Sequence, residues 1–363
     1  MNDKIKVPTN FYHIMKWAGI IIIIGGIKLS TQILLPLLIA LFISLMLLQP
    51  VHWLEKKRIP QPVAIIIILA TFSFFIFLLG DVLGKSVSHF SENLPTYKEK
   101  FNNYVDRNAD TFDVFGIDLS EENLFNSEPN RLMNFIFSGL DQLKQVVGKL
   151  FFILLLTLFL LFELDSFPVK FAAIFNRVGK IKAKRNVLKI TQNLRSYLGI
   201  KTLTSLATGL IIYIFLLIIG VKYAVLWSVL AFLLNYIPNI GSLIAAIPAV
   251  IFAGVQLGGS ALLWTALMYL GANFVVGSLI EPKIMGKGMG LSTAVILLSL
   301  MFWGWLFGPI GMFLSVPLTM VLKVFLETSD SSRYFAILIG TEEEAKEILA
   351  REQKAMRSHH KDN

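Results

Sequence analysis

The sequence has no cysteine and few charged residues. Of its 363 residues, 16% are charged and 55% are hydrophobic, with a mean hydropathy of +0.68. Without cysteine, the chain has no disulfide, no thiolate metal ligand and no cysteine nucleophile. Soluble globular domains carry about 25% charged residues, so this composition indicates a protein with several membrane-spanning helices.

The sequence also lacks the motifs of enzymes and cofactor sites. The segment GKGMG, from Gly286 to Gly290, resembles a phosphate-binding loop, but no strand precedes it and no Gly-Lys-Ser/Thr ends it. The histidines show no metal-ligand spacing, and no nucleophile–base arrangement is present. The net charge of +9 is better explained by basic loops on the inner side of a membrane than by nucleic acid. We therefore predict no enzyme, no cofactor, no metal and no nucleic-acid partner.

Long apolar runs recur along most of the chain. A helix needs about 20 apolar residues to cross a hydrocarbon core, and fewer if it is broken or re-entrant. The first run resembles a signal peptide, but no small-residue cleavage site follows it, so we interpret it as an uncleaved membrane helix. The candidate spans are Tyr12–Ser30, Ile33–Pro50, Pro62–Leu83, Leu150–Leu164, Leu203–Gly220 and Ala261–Ile280, with shorter pieces at Tyr223–Ile237, Leu243–Val255, Ser292–Phe307 and Ile310–Leu326.

Loop charges orient these spans. Lys56, Lys57 and Arg58 follow the second span, and the segment Glu163–Lys201 is strongly basic. In Asp81–Val147, by contrast, acidic residues outnumber basic ones. The positive-inside rule therefore places both termini and the basic loops in the cytoplasm and the acidic segment outside. The basic segment is expected to lie on anionic membrane lipid.

The segment outside the membrane carries an apolar stripe. Its residues recur at alternating steps of four and three, as on one face of a helix. The stripe either packs onto a neighbouring part of the chain or forms an oligomer contact. Downstream, the tract Asn108–Asn130 is polar and acidic and is predicted to be a loop. The stripe consists of Leu83, Val87, Phe90, Leu94, Tyr97, Phe101 and Tyr104.

Two stretches in the apolar C-terminal half share a pattern. They are WSVLAFLLNYIPNIGSLIAAIP, from Trp227 to Pro248, and LSLMFWGWLFGPIGMFLSVP, from Leu298 to Pro317. Each has an apolar helix, a Pro-x-x-Gly or Pro-x-Gly break and a second apolar helix, which is typical of a helical hairpin. The pieces are either tilted full spans or re-entrant hairpins.

The two hairpins are predicted to enter the membrane from opposite sides. The first follows Leu203–Gly220, which runs outward from the basic segment, and the second follows Lys283 and Lys287 on the inside. Paired, inverted and broken helices indicate a transport site, because freed backbone groups are tolerated where they line a cavity. The alternative is a pair of ordinary turns at the membrane surface.

Polar residues at membrane depth are few. Glu281 is the one acidic residue between Leu203 and Leu326. It is either a functional carboxylate or half of an interfacial salt bridge with Lys283. Asn273 either bonds across helices or faces a pathway. The predicted substrate pathway comprises Asn235, Pro238, Asn239, Gly241, Ser242, Asn273, Glu281, Pro309 and Gly311.

Three strings carry a resemblance to a known family. They are LLPLLIALFISLMLLQPVHWLEKKRIP, LNYIPNIGSLIAAIPAV and EPKIMGKGMGLSTAVILLSLMFWGWLFGPIGMFLSVPLTMVLKVFLE. Together they resemble the autoinducer-2 exporter family of bacterial inner-membrane permeases. The resemblance implies a polytopic α-helical transporter in the bacterial inner membrane, with assembly into symmetric homo-oligomers. Some members are associated with release of the quorum-sensing signal autoinducer-2, and others with exchange of sodium or lithium for protons.

We therefore predict an all-α polytopic membrane protein with about eight membrane segments, including two inverted Pro/Gly-broken hairpins. The favoured function is export of a small polar solute such as autoinducer-2. The alternatives are antiport of a monovalent cation, Na⁺ or Li⁺, against protons, and a non-transporting membrane scaffold. The predicted units are three N-terminal spans (1–84), an extracytoplasmic helical segment (85–147), a span with a basic cytoplasmic segment (148–202), a transport core (203–327) and a charged cytoplasmic tail (328–363).

Overall fold

The computed structural model describes residues 9–93, 96–97, 99–100, 149–164, 166, 170, 177–238, 240–285, 290–328, 332–346 and 349–350. Within these ranges every regular element is a helix, as expected where hydrocarbon offers backbone groups no other partner. The helices are α1 (Thr9–Leu29), α2 (Thr31–Lys56), α3 (Gln61–Glu92), α4 (Leu150–Glu163), α5 (Arg177–Ile219), α6 (Ala224–Leu234), α7 (Gly241–Leu257), α8 (Gly259–Asn273), α9 (Thr293–Phe307), α10 (Pro309–Phe313), α11 (Ser315–Thr328) and α12 (Arg333–Ile339).

Helix length and surface identify a membrane protein. In the described part of the chain, four helical stretches are long and apolar enough to cross a membrane: Thr31–Lys56, Gln61–Phe90, Thr191–Ile219 and Gly259–Ile284. Large apolar side chains also stand exposed along the helices, a surface that suits lipid rather than water. The all-α, polytopic class is therefore confirmed. The count of about eight segments, the inverted hairpins and the domain limits stay predictions.

Helix α5 contacts both halves of the apolar C-terminal region. Near its C-terminal end, Ile212 and Leu216 belong to a core cluster with residues of α6, α7 and α8. Nearer its middle, Leu194 and Leu198 belong to a second cluster with residues of α2, α9 and α11. The two Pro/Gly-broken stretches therefore pack against successive parts of one long helix.

Helices α6 and α7, joined by residues 235–240, form the first hairpin. Its two ends meet beside the C-terminal end of α5. There the side chain of Gln256 accepts a hydrogen bond from the Lys222 backbone N–H at 2.7 Å and donates one to the Gly220 carbonyl at 3.1 Å. The break between the helices instead contacts Ser205, about 22 Å further back along α5 at 1.5 Å per residue.

Helices α9, α10 and α11 form the second hairpin. Its two ends are tied where Lys323 donates a hydrogen bond to the Gly290 carbonyl at 2.6 Å. Across its legs, the Trp303 indole N–H donates to the Thr319 hydroxyl at 2.9 Å. Both stretches therefore fold as a helix, a break and a returning helix.

A glycine lets the two legs approach closely in each hairpin. A Cβ at Gly241 would lie 1.7 Å from the Leu234 carbonyl oxygen. A Cβ at Gly311 would lie 1.9 Å from the Trp303 carbonyl oxygen. Real Cβ atoms do not come that close to backbone, so each tip requires glycine.

The apolar stripe after α3 packs within the chain where it is described. Phe90 and Tyr97 are buried, and their rings contact Tyr223 and Phe252 at centroid distances of 4.9–6.5 Å. Burial, together with the neighbouring Tyr223, raises the pKa of Tyr97 to about 12, so its hydroxyl stays protonated at neutral pH. Outside the described residues lie Leu94, Phe101, Tyr104 and the tract Asn108–Asn130.

Candidate functional site

A row of polar side chains lies buried on α5. Lys201, Thr204, Ser205 and Thr208 follow the spacing i, i+3, i+4 and i+7, which places them on one face of the helix. All four are at most 4% exposed. This polar face lies between the parts of α5 that pack on the second hairpin and on the first. Buried polar groups require partners, and the neighbouring elements supply them.

Lys201 forms a buried ion pair with Glu281. The Lys201 ammonium lies 2.7 Å from one carboxylate oxygen of Glu281 and 2.9 Å from the other. The two side chains are 5% and 15% exposed. The Thr204 hydroxyl lies 3.4 Å from the same carboxylate. Glu281 therefore pairs with a lysine 80 residues away, and the interpretation that paired it with the exposed Lys283 is wrong.

The backbone before Glu281 has an unusual winding. Helix α8 ends at Asn273 and continues as a π-helix from Phe274 to Ile280, after which Glu281 begins a short α-helical turn. The Asn273 amide oxygen lies 3.1 Å from the position that a Cβ on Gly277 would take, so this side chain rests on the π-helical backbone. π-helical segments are rare and occur frequently at functional sites.

The break of the first hairpin contacts both α5 and the second hairpin. Asn235, which is buried, donates a hydrogen bond from its amide to the Ser205 hydroxyl at 3.0 Å. The adjacent Tyr236 donates from its hydroxyl to Thr202 at 2.7 Å. The Tyr236 ring stacks on Phe313, which follows the break of the second hairpin, with ring centroids 4.4 Å apart. The first break thus joins the polar face to the second hairpin.

The predicted pathway residues therefore divide into groups. Asn235 and Glu281 are both brought to the polar face. Gly241 and Gly311 pack against backbone inside their own hairpins. A pathway role for any of these residues stays a prediction. Of the others, Ser242 is buried at the start of α7, Pro238 is partly buried in the break, Pro309 is exposed at the start of α10, and Asn239 lies outside the described residues.

Sequence reasoning missed the polar face itself. It began the span at Leu203 and counted Lys201 among the basic residues of the preceding loop, although the helix continues unbroken through both. The string KTLTSLAT, from Lys201 to Thr208, carries the i, i+3, i+4, i+7 signal within a helix that is otherwise apolar. That signal was sufficient to find the face, though not its partner Glu281.

The site offers hydrogen-bonding groups around one neutralised pair of charges. Hydroxyls of Thr204, Ser205 and Thr208 and the amide of Asn235 suit a polar, uncharged solute. The ion pair adds one acidic and one basic side chain. A separate open cavity of about 470 Å³ lies away from the polar face, near the end of α3, and is lined by Asp81, Val82, Lys85, Ser86, His89, Asn93, Lys222 and Tyr223.

Comparison with known proteins places the chain in a family. The sequence pattern of the AI-2E family transporters matches residues 18–330. A Haemophilus influenzae protein named "Putative transport protein" is 39% identical, over 91% of this chain and 96% of its own length. The Escherichia coli AI-2 transport protein TqsA is 36% identical, over 88% and 93%. The chain belongs to the AI-2E family of membrane transporters.

Proposed function

We propose that this protein exports a small polar solute such as autoinducer-2 across the bacterial inner membrane. The observation that carries the proposal is the buried polar face of α5, where Asn235 of the first hairpin and Glu281 converge. The similarity to TqsA, whose name refers to autoinducer-2 transport, supports this choice of solute. The proposed pathway runs along the polar face.

The depth of the polar face supports this assignment. Ser205 is the central residue of the 29-residue candidate span Thr191–Ile219. Polar side chains within a membrane helix that pack against broken helices are typical of transporter substrate sites. Because Lys201 and Glu281 neutralise each other, the face favours a neutral, hydroxyl-rich solute over an ion.

The hairpin contacts support re-entrant, opposed hairpins. The first hairpin closes beside Gly220, at one end of the span, and its break reaches Ser205 at the centre. The second closes where Lys323 meets Gly290, and it packs on α5 near Leu194 and Leu198, towards the other end. We propose that the two breaks meet near the midplane, with both termini in the cytoplasm.

We further propose contacts with membrane lipid and with other copies of the chain. The basic residues that precede Lys201 in the segment Glu163–Lys201 carry charge that suits anionic lipid. We also propose that the chain assembles into a homo-oligomer.

Flux of autoinducer-2 from proteoliposomes tests the export function. Purified protein is expected to release entrapped autoinducer-2 faster than protein-free vesicles. Ser205→Ala removes the hydroxyl that binds Asn235, and we expect it to lower the rate by about two- to tenfold, the equivalent of one hydrogen bond. The matched control is Ser73→Ala, because the Ser73 hydroxyl on α3 bonds the carbonyl of Leu69 in its own helix. Release no faster than from protein-free vesicles would refute export of this solute.

Antiport of Na⁺ or Li⁺ against protons is the second candidate. The observation that favours it is the burial of Glu281, which is only 15% exposed and is paired with Lys201 of the neighbouring helix. Glu281→Gln replaces the carboxylate with a neutral amide of nearly the same volume. If this protein is an antiporter that uses Glu281, the variant loses sodium-dependent proton flux. Intact flux in the variant removes this mechanism.

A further inference from the structure

The ion pair has the geometry of an occupied cation site. Both oxygens of Glu281 face the Lys201 ammonium, at 2.7 and 2.9 Å, and the Thr204 hydroxyl lies beside one of them. Carboxylate and hydroxyl oxygens are the ligands that hard metal cations use in proteins. In this chain the same oxygens surround an ammonium that is covalently part of α5.

A metal ion and the ammonium are alternatives at this position. Lys201 is buried, so a sodium ion bound at Glu281 would leave two positive charges beside one carboxylate, away from water. The ammonium is also covalently attached to α5. Its effective concentration at Glu281 is therefore high, and no ion has to be captured from solution. The position at Glu281 is therefore expected to hold the Lys201 ammonium in preference to a free monovalent cation.

Other titratable and charged groups lie on the helices around the pair. On α5, Tyr197 lies within electrostatic reach of Glu281, and Tyr236 of the first hairpin is held by Thr202; both are phenols that are neutral near pH 7. Lys283 is exposed. Arg195, six residues before Lys201 on α5, is a charged group with a buried Nε. On neighbouring helices, His52 lies beside Glu55 on α2, and Lys323 of α11 lies beside Glu344 and Glu327.

The π-helix that follows α8 is an element whose rewinding could separate the pair. The π-helix Phe274–Ile280 ends directly before Glu281. A π-helical turn holds one more residue per hydrogen-bonded loop than an α-helical turn, so rewinding to α-helix rotates the residues that follow it. Such a change of register would rotate Glu281 about the helix axis relative to Lys201.

We propose that the Lys201 ammonium fills the cation position at Glu281, so that this transporter couples to protons and excludes sodium and lithium from that position. A proton taken from water by the Glu281 carboxylate cancels its negative charge and removes the attraction to Lys201. The return of that proton to water on the other side restores the pair. The part of this proposal that concerns coupling rests on the proposed transport function, whereas the part that concerns occupancy of the position does not.

Cation-dependent thermal unfolding of the purified protein tests occupancy without any transport assay. The unfolding midpoint is measured in choline, potassium, sodium and lithium chloride at equal ionic strength. For the wild-type chain we expect the same midpoint in all four salts. In Lys201→Gln the ammonium is gone, and we expect sodium or lithium to raise the midpoint by about 2–4 °C over choline. The double variant Lys201→Gln/Glu281→Gln is expected to lose this rise.

The matched control is Lys323→Gln, the same substitution at another buried and glutamate-paired lysine. It is expected to give no rise that is specific to sodium or lithium. A sodium- or lithium-specific rise in the wild type that Glu281→Gln abolishes would overturn the proposal, as would a Lys201→Gln protein that responds equally to all four salts. If Lys201→Gln can be purified folded in sodium or lithium but not in choline, that result supports the proposal.

Gradient-driven flux tests the coupling. In proteoliposomes, a pH gradient is expected to accelerate autoinducer-2 release, and a sodium gradient of equal size is expected to leave it unchanged. Acceleration by sodium in the wild type contradicts proton coupling. Absence of any autoinducer-2 flux, combined with the expected salt responses, refutes the proposed solute and leaves the assignment of Lys201 standing.

Discussion

Two lysines, Lys201 and Lys323, are buried in the described part of the chain, and each has a glutamate partner, yet their surroundings differ. Lys201 lies within the candidate span Thr191–Ile219, and its partner Glu281 is 15% exposed. Lys323 lies near the end of α11, and its partners Glu327 and Glu344 are 26% and 34% exposed. Lys323 also donates to the Gly290 carbonyl. The carboxylate of the first pair is therefore less exposed than either carboxylate of the second.

The difference indicates distinct roles for the two pairs. Lys323 ties the start of the second hairpin to residues 342–346, and the Ser292 N–H bond to the Ile339 carbonyl at 3.1 Å reinforces that link. It therefore acts as an anchor. Lys201 and Glu281 instead join α5 to the turn that follows the π-helix. Charges in such a place are costly, and they are typical of functional sites in membrane proteins.

The largest effect on stability is expected from Glu281→Gln. This change leaves the Lys201 ammonium buried without its counter-charge, which costs about 3 to 5 kcal/mol of unfolding free energy. Glu344→Gln is the matched change at the second pair, and we expect a smaller loss because Glu327 and water remain available to Lys323. Denaturant unfolding of the detergent-solubilised protein measures both. Equal losses would show that the two pairs are equivalent.

Replacing both members of the inner pair separates its roles in stability and function. Because a buried ion pair contributes little net stability relative to apolar residues of similar size, Lys201→Met/Glu281→Leu is expected to recover most of the loss caused by Glu281→Gln. Solute flux is nevertheless expected to be abolished in the double variant, because the carboxylate proposed to couple transport to protons is absent. Recovery of flux together with stability would mean that the pair is purely structural.

An intermediate effect is expected at the outer pair. Lys323→Met leaves the Gly290 carbonyl without its donor, which costs about 1 to 3 kcal/mol. It also frees residues 342–346, so a cysteine introduced at Ala345 in this cysteine-free chain is expected to react faster with maleimide. The control is Lys346→Met, because Lys346 and its partner Glu342 are 72% and 77% exposed. Unchanged labelling in Lys323→Met would exclude the anchoring role.

Sequence reasoning recovered the parts of this molecule that depend on local pattern. Apolar runs and Pro/Gly breaks gave the helices and both broken stretches, because segment length and backbone chemistry decide those features. The rarity of acidic residues singled out Glu281. Its partner could not be found in the same way, since Lys201 is distant in sequence and resembles a loop residue when charges are counted. Contacts such as that of Tyr236 with Phe313 depend likewise on how the hairpins meet.

The smallest effect is expected at the contact between the two hairpins, beside the inner pair. Tyr236→Phe keeps the ring that stacks on Phe313 and removes the hydroxyl that donates to Thr202, the neighbour of Lys201. The loss of one hydrogen bond costs about 0.5 to 1.5 kcal/mol. The control is Tyr269→Phe, whose hydroxyl lies 3.4 Å from the Trp227 carbonyl and so loses a weaker bond.

Flux measured in these two tyrosine variants shows whether the contact between the hairpins affects transport as well as stability. If the breaks move past each other during transport, the Tyr236 hydroxyl holds the resting arrangement, and Tyr236→Phe changes the flux rate although the protein stays folded. Tyr269 belongs to the core cluster around the first hairpin, and its hydroxyl faces the Trp227 carbonyl of that cluster, so Tyr269→Phe is expected to leave flux unchanged. If both variants transport as fast as the wild type, the parts that move during transport lie elsewhere. The Lys201–Glu281 pair would then act independently of the contact between the two hairpins.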